Sequence, residues 1–566
     1  MKILLINPGQ PLDAGWDQTV SIFRGAFYLA KPFSRAYMGL PLALPSLAAA
    51  TPPGHRVRIV DEMIEPVDFD EDCDLVGITA MTFKATRAYE IADEFRRRGK
   101  PVVLGGIHAS MCPEEAAEHA DCVVVGEGEA VWPVLLEDFA RGDMKPRYDA
   151  QGFPDVNRCG PPRYDLTRYR SYCSFSLQTT RGCPNACKFC TVYKFNGRRL
   201  RKKRIENILR ELDGILKLKN LFVCPTVRDR KTGKKRKLVT NIFFTDDNFS
   251  INRAYALEIC EALNRFQEER GILVNWYTQV DFRACFDDEL LEAMKSAGCY
   301  SIFVGFESLS SDVLAQMNKK INTPRRYAEG IRNAHRHGLE VYASVIVGND
   351  ADTPRVADEI AEFMEQNDIV YAFPCILTPF PGTDLYDEMK REGRIFDLSP
   401  EHLNIRNVVF EPASMAPEEL QHAHARLVAR LFDVGPMLGR ASRLLRYPKR
   451  YYLTYPWRAF LFAWFFACTV LVGLRFRLPG AGLLRLLGAL PRFVLRDGSL
   501  AALDYFVSTI EFNLFAASEG RRLRDTPALR RSRAHPGAPE AGQKEGSPER
   551  PGLPSALALG GRSRRA

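Results

Sequence analysis

Two long stretches of the chain alternate short β-branched, apolar runs with charged amphipathic segments, and this alternation constrains the fold more than any other feature. In residues 1–145 the strand-like runs are 3–7, 57–60, 75–79, 102–104 and 123–125, with helical patterns such as 85–97 and 114–119 between them. Alternation of this kind implies parallel βαβ units and an open, doubly wound α/β sheet. A second series opens at 175–179 and runs through 242–245, 274–279, 302–306, 342–347 and 375–378. Six strands in alternation suffice for a partial barrel with its site at the carboxyl ends. The expected organisation is a Rossmann-like domain over 1–145, a linker over 146–172 and a partial (β/α)6 barrel over 173–385. A mostly helical region over 386–520 and a disordered basic tail over 521–566 complete the chain. Residues 227–237 read as a basic surface insertion.

Charge is distributed unevenly. Residues 437–520 and 521–566 each hold eleven Lys/Arg against four Asp/Glu, a net +7 apiece, so residues 1–436 carry −5 of the chain's +9. A mildly acidic front argues against a nucleic-acid partner. Fourteen cysteines scattered over 566 residues do not resemble a disulfide framework. The start MKILLINPGQ lacks the apolar core and cleavage site of a signal peptide. A reducing cytoplasm is the expectation, and it leaves cysteines free to bind metal.

The sequence RGCPNACKFC at 181–190 follows directly on a strand and spaces Cys183, Cys187 and Cys190 as C-x3-C-x2-C. Three thiolates on one compact loop can hold three irons of a cubane cluster and leave the fourth iron open. A zinc site normally needs four protein ligands. No nearby Cys or His completes such a set, although Cys173 lies ten residues upstream. This spacing, with aromatic Phe189 before the last cysteine, resembles the radical S-adenosylmethionine (SAM) superfamily over roughly residues 173–385. The resemblance implies a 4Fe–4S cluster whose open iron is chelated by SAM, and reductive cleavage to methionine and a 5′-deoxyadenosyl radical. It further implies SAM contacts from Phe189, from Asp246 and Asp247 after the second strand, from Glu307 in FVGFES, from Gly348 in VIVGND, and from 379–383. The family's usual Gly-Gly-Glu is absent, so the two aspartates are inferred from position and charge; their alternative reading is a helix N-cap.

The domain before the barrel resembles the cobalamin-binding half of cobalamin-dependent radical enzymes through GITAMTFKA, GGIHAS and VVVGEGE. The likeness implies cobalamin contacts from Thr79, Gly105, Gly106, Gly126, Glu127 and Gly128. Residues 8–18 contain no histidine and no D-x-H-x-x-G motif, so a histidine axial ligand is not expected. His108 is read as a hydrogen-bonding group.

Cobalamin beside a radical generator makes methylation of an unactivated carbon the natural chemistry, as in the hopanoid methylases. Relatives also include an oxidative ring cyclase of tetrapyrrole synthesis, and a non-catalytic cobalamin sensor is a further alternative. The partners this implies are a lipophilic substrate (lipid or tetrapyrrole) and an electron donor such as a ferredoxin or flavodoxin. Residues 459–474 carry no charge, and Arg440, Arg443, Arg446, Lys449 and Arg450 precede them with Tyr451, Tyr452, Tyr455 and Trp457. Sixteen residues make roughly 24 Å of helix, too short for a bilayer core. Basic and aromatic flanks instead suggest peripheral contact with the inner face of a membrane.

Overall fold

The structure is a computed structural model. It describes residues 1–9, 36–218, 224–447, 449, 451–454, 466, 480–497 and 526–527. The first loop from residue 10, the apolar run 459–474 apart from Phe466, and nearly all of the tail lie outside the described residues.

The first domain places β1 (Lys2–Asn7), β3 (Arg56–Asp61), β4 (Leu75–Thr79), β5 (Val102–Gly105), β6 (Cys122–Val125) and β7 (Arg147–Asp149) in one sheet of order β3-β1-β4-β5-β6-β7. Every pairing in it is parallel. The strands are apolar at successive positions because both faces are covered. Leu4, Ile6, Val76 and Leu104 pack into one layer with Phe95, while Ile3, Leu5, Leu75 and Val103 pack into the other with Trp132. The covering helices are α1 (Ala43–Ala50), α2 (Ala85–Arg97), the short α3 (Ile107–Met111) and α4 (Pro113–Glu118), and α5 (Trp132–Arg141). The chain leaves β1 for β3 on one side and returns to β4 on the other. That reversal creates a crevice at the carboxyl ends where ligands bind in such sheets.

One early segment departs from the simple domain order. β2 (Ala36–Gly39) leaves the first sheet and pairs in parallel with β8 (Tyr172–Leu177), the first barrel strand. The barrel continues through β12 (Lys235–Phe244), β13 (Ile272–Val280), β14 (Cys299–Glu307), β15 (Glu340–Val347) and β16 (Tyr371–Ile376). Its order is β8-β12-β13-β14-β15-β16, all parallel. Outward residues such as Trp276, Ile302, Val304 and Val345 are buried beneath α6 (Ile205–Leu218), α7 (Arg253–Arg270), α8 (Asp288–Ser296), α9 (Tyr327–Arg336) and α10 (Val356–Gln366). Between β8 and α6 lies the two-stranded ribbon of β9 (Thr180–Arg181) and β10 (Arg201–Lys202).

Residues 227–237 are exposed at 230–235 and 237, as expected of a surface segment, but they belong to the sheet. They form a hairpin in which β11 (Thr226–Asp229) pairs antiparallel with the start of β12. The outer edge of β11 takes β17 (Tyr451–Leu453). Val227 and Arg236 are buried there, which explains why a basic stretch can belong to the sheet.

After α11 (Asp384–Arg391), the helix α12 (Pro417–Phe432) closes over β16 and α10, and α13 (Val434–Leu444) packs on α12. Four of the five cations expected to face a membrane are described, and each has a partner within the protein; Arg450 lies outside the described residues. Arg443 and Arg446 both bind Asp368, Lys449 pairs with Glu340, and Arg440 is buried and donates to the Leu431 carbonyl. These charges dock the C-terminal region on the barrel, and Tyr451 is buried in β17. No described helix is long and apolar enough to cross a membrane.

Glu340 is 1% and Lys449 7% exposed, so removing one partner strands a charge inside the protein. Lys449→Ala should destabilise the barrel by about 3–5 kcal/mol. The double variant Lys449→Met/Glu340→Leu should recover most of that loss in denaturant titration.

Candidate functional site

A cavity of about 570 Å3 opens between the carboxyl ends of β4–β6 and the mouth of the barrel. Thr79, Gly105, Gly106, Gly126, Glu127 and Gly128 all line it, and Gly77, Val103, Val124 and Trp132 extend it along the sheet. The barrel contributes Ser176, Gln178, Arg181, Phe243, Thr245 and Asp247. Gly106 has φ +93, and a Cβ there would lie 2.6 Å from Thr79 Oγ1. Only glycine permits this close approach of the β5 end to Thr79 and Ala80, which shapes the cavity edge. The glycine edge and apolar recess suit a corrin.

The facing wall comes in part from Arg181, Phe195 and Asn196, which flank the loop carrying Cys183, Cys187 and Cys190; the loop itself does not line the cavity. It turns at Gly182 (φ +97), where a Cβ would lie 2.5 Å from the Arg199 carbonyl. The Cys183 amide donates to Gly197 O at 3.1 Å and the Lys188 amide to Met317 O at 3.1 Å, which pins both halves of the loop. The Cys190 amide closes the last turn on Cys187 O at 3.0 Å. Phe189 packs against the barrel core. Burial raises the pKa of all three thiols, that of Cys190 to about 12. Iron would lower these pKa values, because thiolates are the ligating form. Three thiols on one pinned loop fit a cubane cluster.

The acidic pair after β12 divides its work. Asp246 is fully buried and accepts from the amides and hydroxyls of both Thr179 and Thr180. Its carboxylate holds the start of the cysteine loop and is not available to an ammonium group. Burial raises its pKa to about 6 despite those four donors. Asp247 accepts from the Gly182 amide at 2.8 Å and from Asn196 Nδ2 at 3.1 Å, and it lines the cavity.

Glu307 ends β14 with φ 61, a strained conformation for a non-glycine residue. It is buried and pairs with Lys319 at 2.7 Å. Burial works against the Lys319 ammonium, but Glu307 and the thiols of Cys187 and Cys190 outweigh it and raise its pKa. The pair therefore stands beside the cysteine loop. Gly348 has a different role from the one its position suggests. Its amide donates to Asp352 Oδ2 at 2.9 Å, and a Cβ there would lie 2.6 Å from Leu420 of α12. It is a packing glycine. In the 379–383 loop, Gly382 packs against Met111 of the first domain.

Glu127 lines the cavity, yet its carboxylate is engaged by Arg181 at 2.8 Å and by Arg201. Glu129 adds a second contact to Arg181 at 2.7 Å. Burial opposes ionisation of Glu129, but the guanidinium wins and holds its pKa below the ordinary range. Arg181, Arg201, Lys319 and Asn196 are site residues that motif reading did not single out. Arg181 had one signal: it directly precedes Gly182 and Cys183. His108 is buried on α3 and does not line the cavity.

Comparison with known proteins agrees with this geometry. Residues 33–136 match the B12 binding domain and residues 227–364 the radical SAM superfamily. The chain is 34% identical over 390 residues to bacteriochlorophyllide d C-8(2)-methyltransferase of Chlorobaculum tepidum, covering 67% of this chain and 83% of that one. It is 29% identical to the hopanoid C-2 methylase of Rhodopseudomonas palustris, covering 63% and 65% respectively. Among solved structures, the cobalamin-dependent SAM radical enzyme OxsB aligns over 93% of this chain and 80% of its own. That alignment has a TM-score of 0.57 at 14% identity, which shows the fold.

Two substitutions separate these roles. Asp246→Ala leaves four loop donors without their acceptor, each costing about 1–3 kcal/mol when buried, and should abolish iron loading. Asp247→Asn should retain iron, measured by iron and sulfide content. Glu127→Ala should cost about 3–5 kcal/mol of interdomain coupling, seen by calorimetry as first-domain unfolding that separates from the barrel.

Proposed function

The chain belongs to the cobalamin-binding radical SAM methyltransferase family, and from that premise we propose that it methylates an unactivated carbon of a flat, lipophilic substrate held over the barrel. The observation that carries the reading is a single cavity walled on one side by the glycine edge of the first sheet and on the other by the residues around the cysteine loop. When bound, the cluster supplies the electron that cleaves SAM and cobalamin supplies the methyl group. Cys183, Cys187 and Cys190 hold the cluster. Thr79, Gly105, Gly106, Gly126 and Gly128 form the corrin edge. Asp247 and the Glu307–Lys319 pair supply the nearest charged groups for the amino and carboxylate ends of SAM.

The barrel interior supports the substrate class. Phe243 lines the cavity, and the strand register carries its face across the sheet. Phe243 is level with Tyr277, Phe303 with Tyr342, Tyr342 with Tyr371, and Ser344 with Phe373. Phe243 and Tyr277 stack at 4.6 Å, and Phe303 meets Tyr342 at 5.1 Å and Phe373 at 6.0 Å. Phe373 is 36% exposed. An aromatic wall without charge between Glu340 at one end and Glu307 at the other favours a conjugated ring system. A tetrapyrrole, the substrate class in the name of the bacteriochlorophyllide relative, fits it better than a saturated polycyclic lipid. An external one-electron donor of the ferredoxin or flavodoxin type completes the system. Contact with a membrane surface would give access to lipophilic substrates.

Reconstituted protein supplied with methyl-labelled SAM, reductant and a chlorophyllide should transfer label to carbon and form 5′-deoxyadenosine. Formation of 5′-deoxyadenosine with oxidised, unlabelled product would favour cyclase-type chemistry instead. Phe303→Ala should weaken binding of zinc protoporphyrin IX about 2- to 12-fold, the value of about 0.5–1.5 kcal/mol for an aromatic contact. Fluorescence quenching measures it.

A further inference from the structure

Behind the cavity edge, α3 and α4 bring together a set of side chains that the chemistry above leaves unused. His108, Cys112 and Glu115 each offer one donor atom, an imidazole nitrogen, a thiol sulfur and a carboxylate oxygen, and these atoms lie within 4.8 Å of one another. They are spaced i, i+4 and i+7 across the junction of the two helices. The Cys112 amide donates to His108 O at 2.8 Å and the Ala116 amide to Cys112 O at 3.0 Å, while Cys112 itself leaves the helical conformation (φ −130, ψ 59), so the chain bends there and the three donor atoms meet at the bend.

Their hydrogen bonding is poor. His108 is 2% exposed, its Nε2 is 3.3 Å from Glu115 Oε1, and its Nδ1 has no hydrogen-bond partner. A buried imidazole satisfied this weakly is costly. Burial, with the negative charge of Glu115 and Glu114, pushes the Cys112 thiol up to about 11.

We propose that His108, Cys112 and Glu115 form a zinc site separate from the iron–sulfur cluster. Mixed nitrogen, sulfur and oxygen donors suit a borderline-soft ion of this kind, with water in the fourth position. On binding, Cys112 releases its thiol proton to solvent and a sulfur–zinc bond forms. His108 ligates as the neutral imidazole and Glu115 as the carboxylate. No electron moves, and the ion's two positive charges balance the thiolate and the carboxylate. None of the three residues lines the cofactor cavity.

The location gives the ion a structural task. α3 starts immediately after the Gly105–Gly106 edge, and Met111, next to Cys112, is the residue on which Gly382 of the barrel packs. Zinc would staple the α3–α4 junction and so hold both the cavity edge and this interdomain contact.

Zinc K-edge absorption on the full-length, cluster-loaded protein tests the proposal, because iron does not interfere at that edge. After dialysis against zinc, wild type should hold about one zinc with one sulfur at about 2.3 Å and nitrogen or oxygen neighbours at about 2.0–2.2 Å. Cys112→Ser should lose the sulfur neighbour, and His108→Gln should lower zinc content at least tenfold, with the cluster absorbance intact in both. Wild type that retains no stoichiometric zinc overturns the site outright, whether or not the variants fold. A shell of three or four sulfurs, lost in Cys183→Ala and not in Cys112→Ser, also overturns it by placing the ion on the cluster cysteines. Neither result decides whether methyl transfer occurs, which is read separately from label transfer and 5′-deoxyadenosine formation.

Discussion

The buried ion pairs between Arg181, Arg201, Glu127 and Glu129 are the constraint on which the site depends. Glu127 and Glu129 close the carboxyl end of β6 in the first sheet. Arg181 ends β9 and leads through Gly182 into the cysteine loop. A guanidinium with two carboxylates is rigid and bidentate. It therefore ties the glycine edge to the loop with little freedom of angle. The cost of burying these charges is offset because each has a partner, and for the same reason the arrangement tolerates the loss of no single member.

Around that tie, the other polar groups near the loop act mainly as supports. Asp246 fastens Thr179 and Thr180, Asp247 fastens Gly182 and Asn196, and Glu307 fastens Lys319 beside Cys187. Such supports hold three cysteines at fixed positions on a loop that would otherwise be mobile, a requirement for any site that assembles cofactors against one another. The strained backbone of Glu307 is consistent with that demand. The cavity then presents two different walls to one space, an apolar glycine edge and the polar residues that flank the cysteine loop.

Much of this could be read along the chain. The run 75–79 is a strand with those bounds, and the helical pattern 85–97 is α2, because apolar periodicity is local. The six barrel strands were legible for the same reason, and the cysteines by their spacing. What could not be read were pairings between distant segments. Glu127 meets Arg181 and Arg201 across 54 and 74 residues, and Asp246 meets Thr179 across 67. An acidic residue at a strand end looks the same whether it will bind a ligand or a loop. The basic residues before 459 likewise read as a membrane-facing flank, because nothing local shows that Arg443 and Arg446 pair with Asp368 and Lys449 with Glu340. The hairpin at 226–237 escaped because its lysines and arginines obscure the alternation that buries Val227 and Arg236.

The central claim is that one cavity holds both cofactors, with the ion pairs setting their separation. Pulsed electron paramagnetic resonance on protein carrying Co(II) cobalamin and the reduced cluster measures this directly through the dipolar coupling between the two spins. A single resolved coupling in wild type, broadened or lost in Glu127→Ala while both centres remain bound, is the predicted result. Two magnetically isolated centres in wild type would contradict the account.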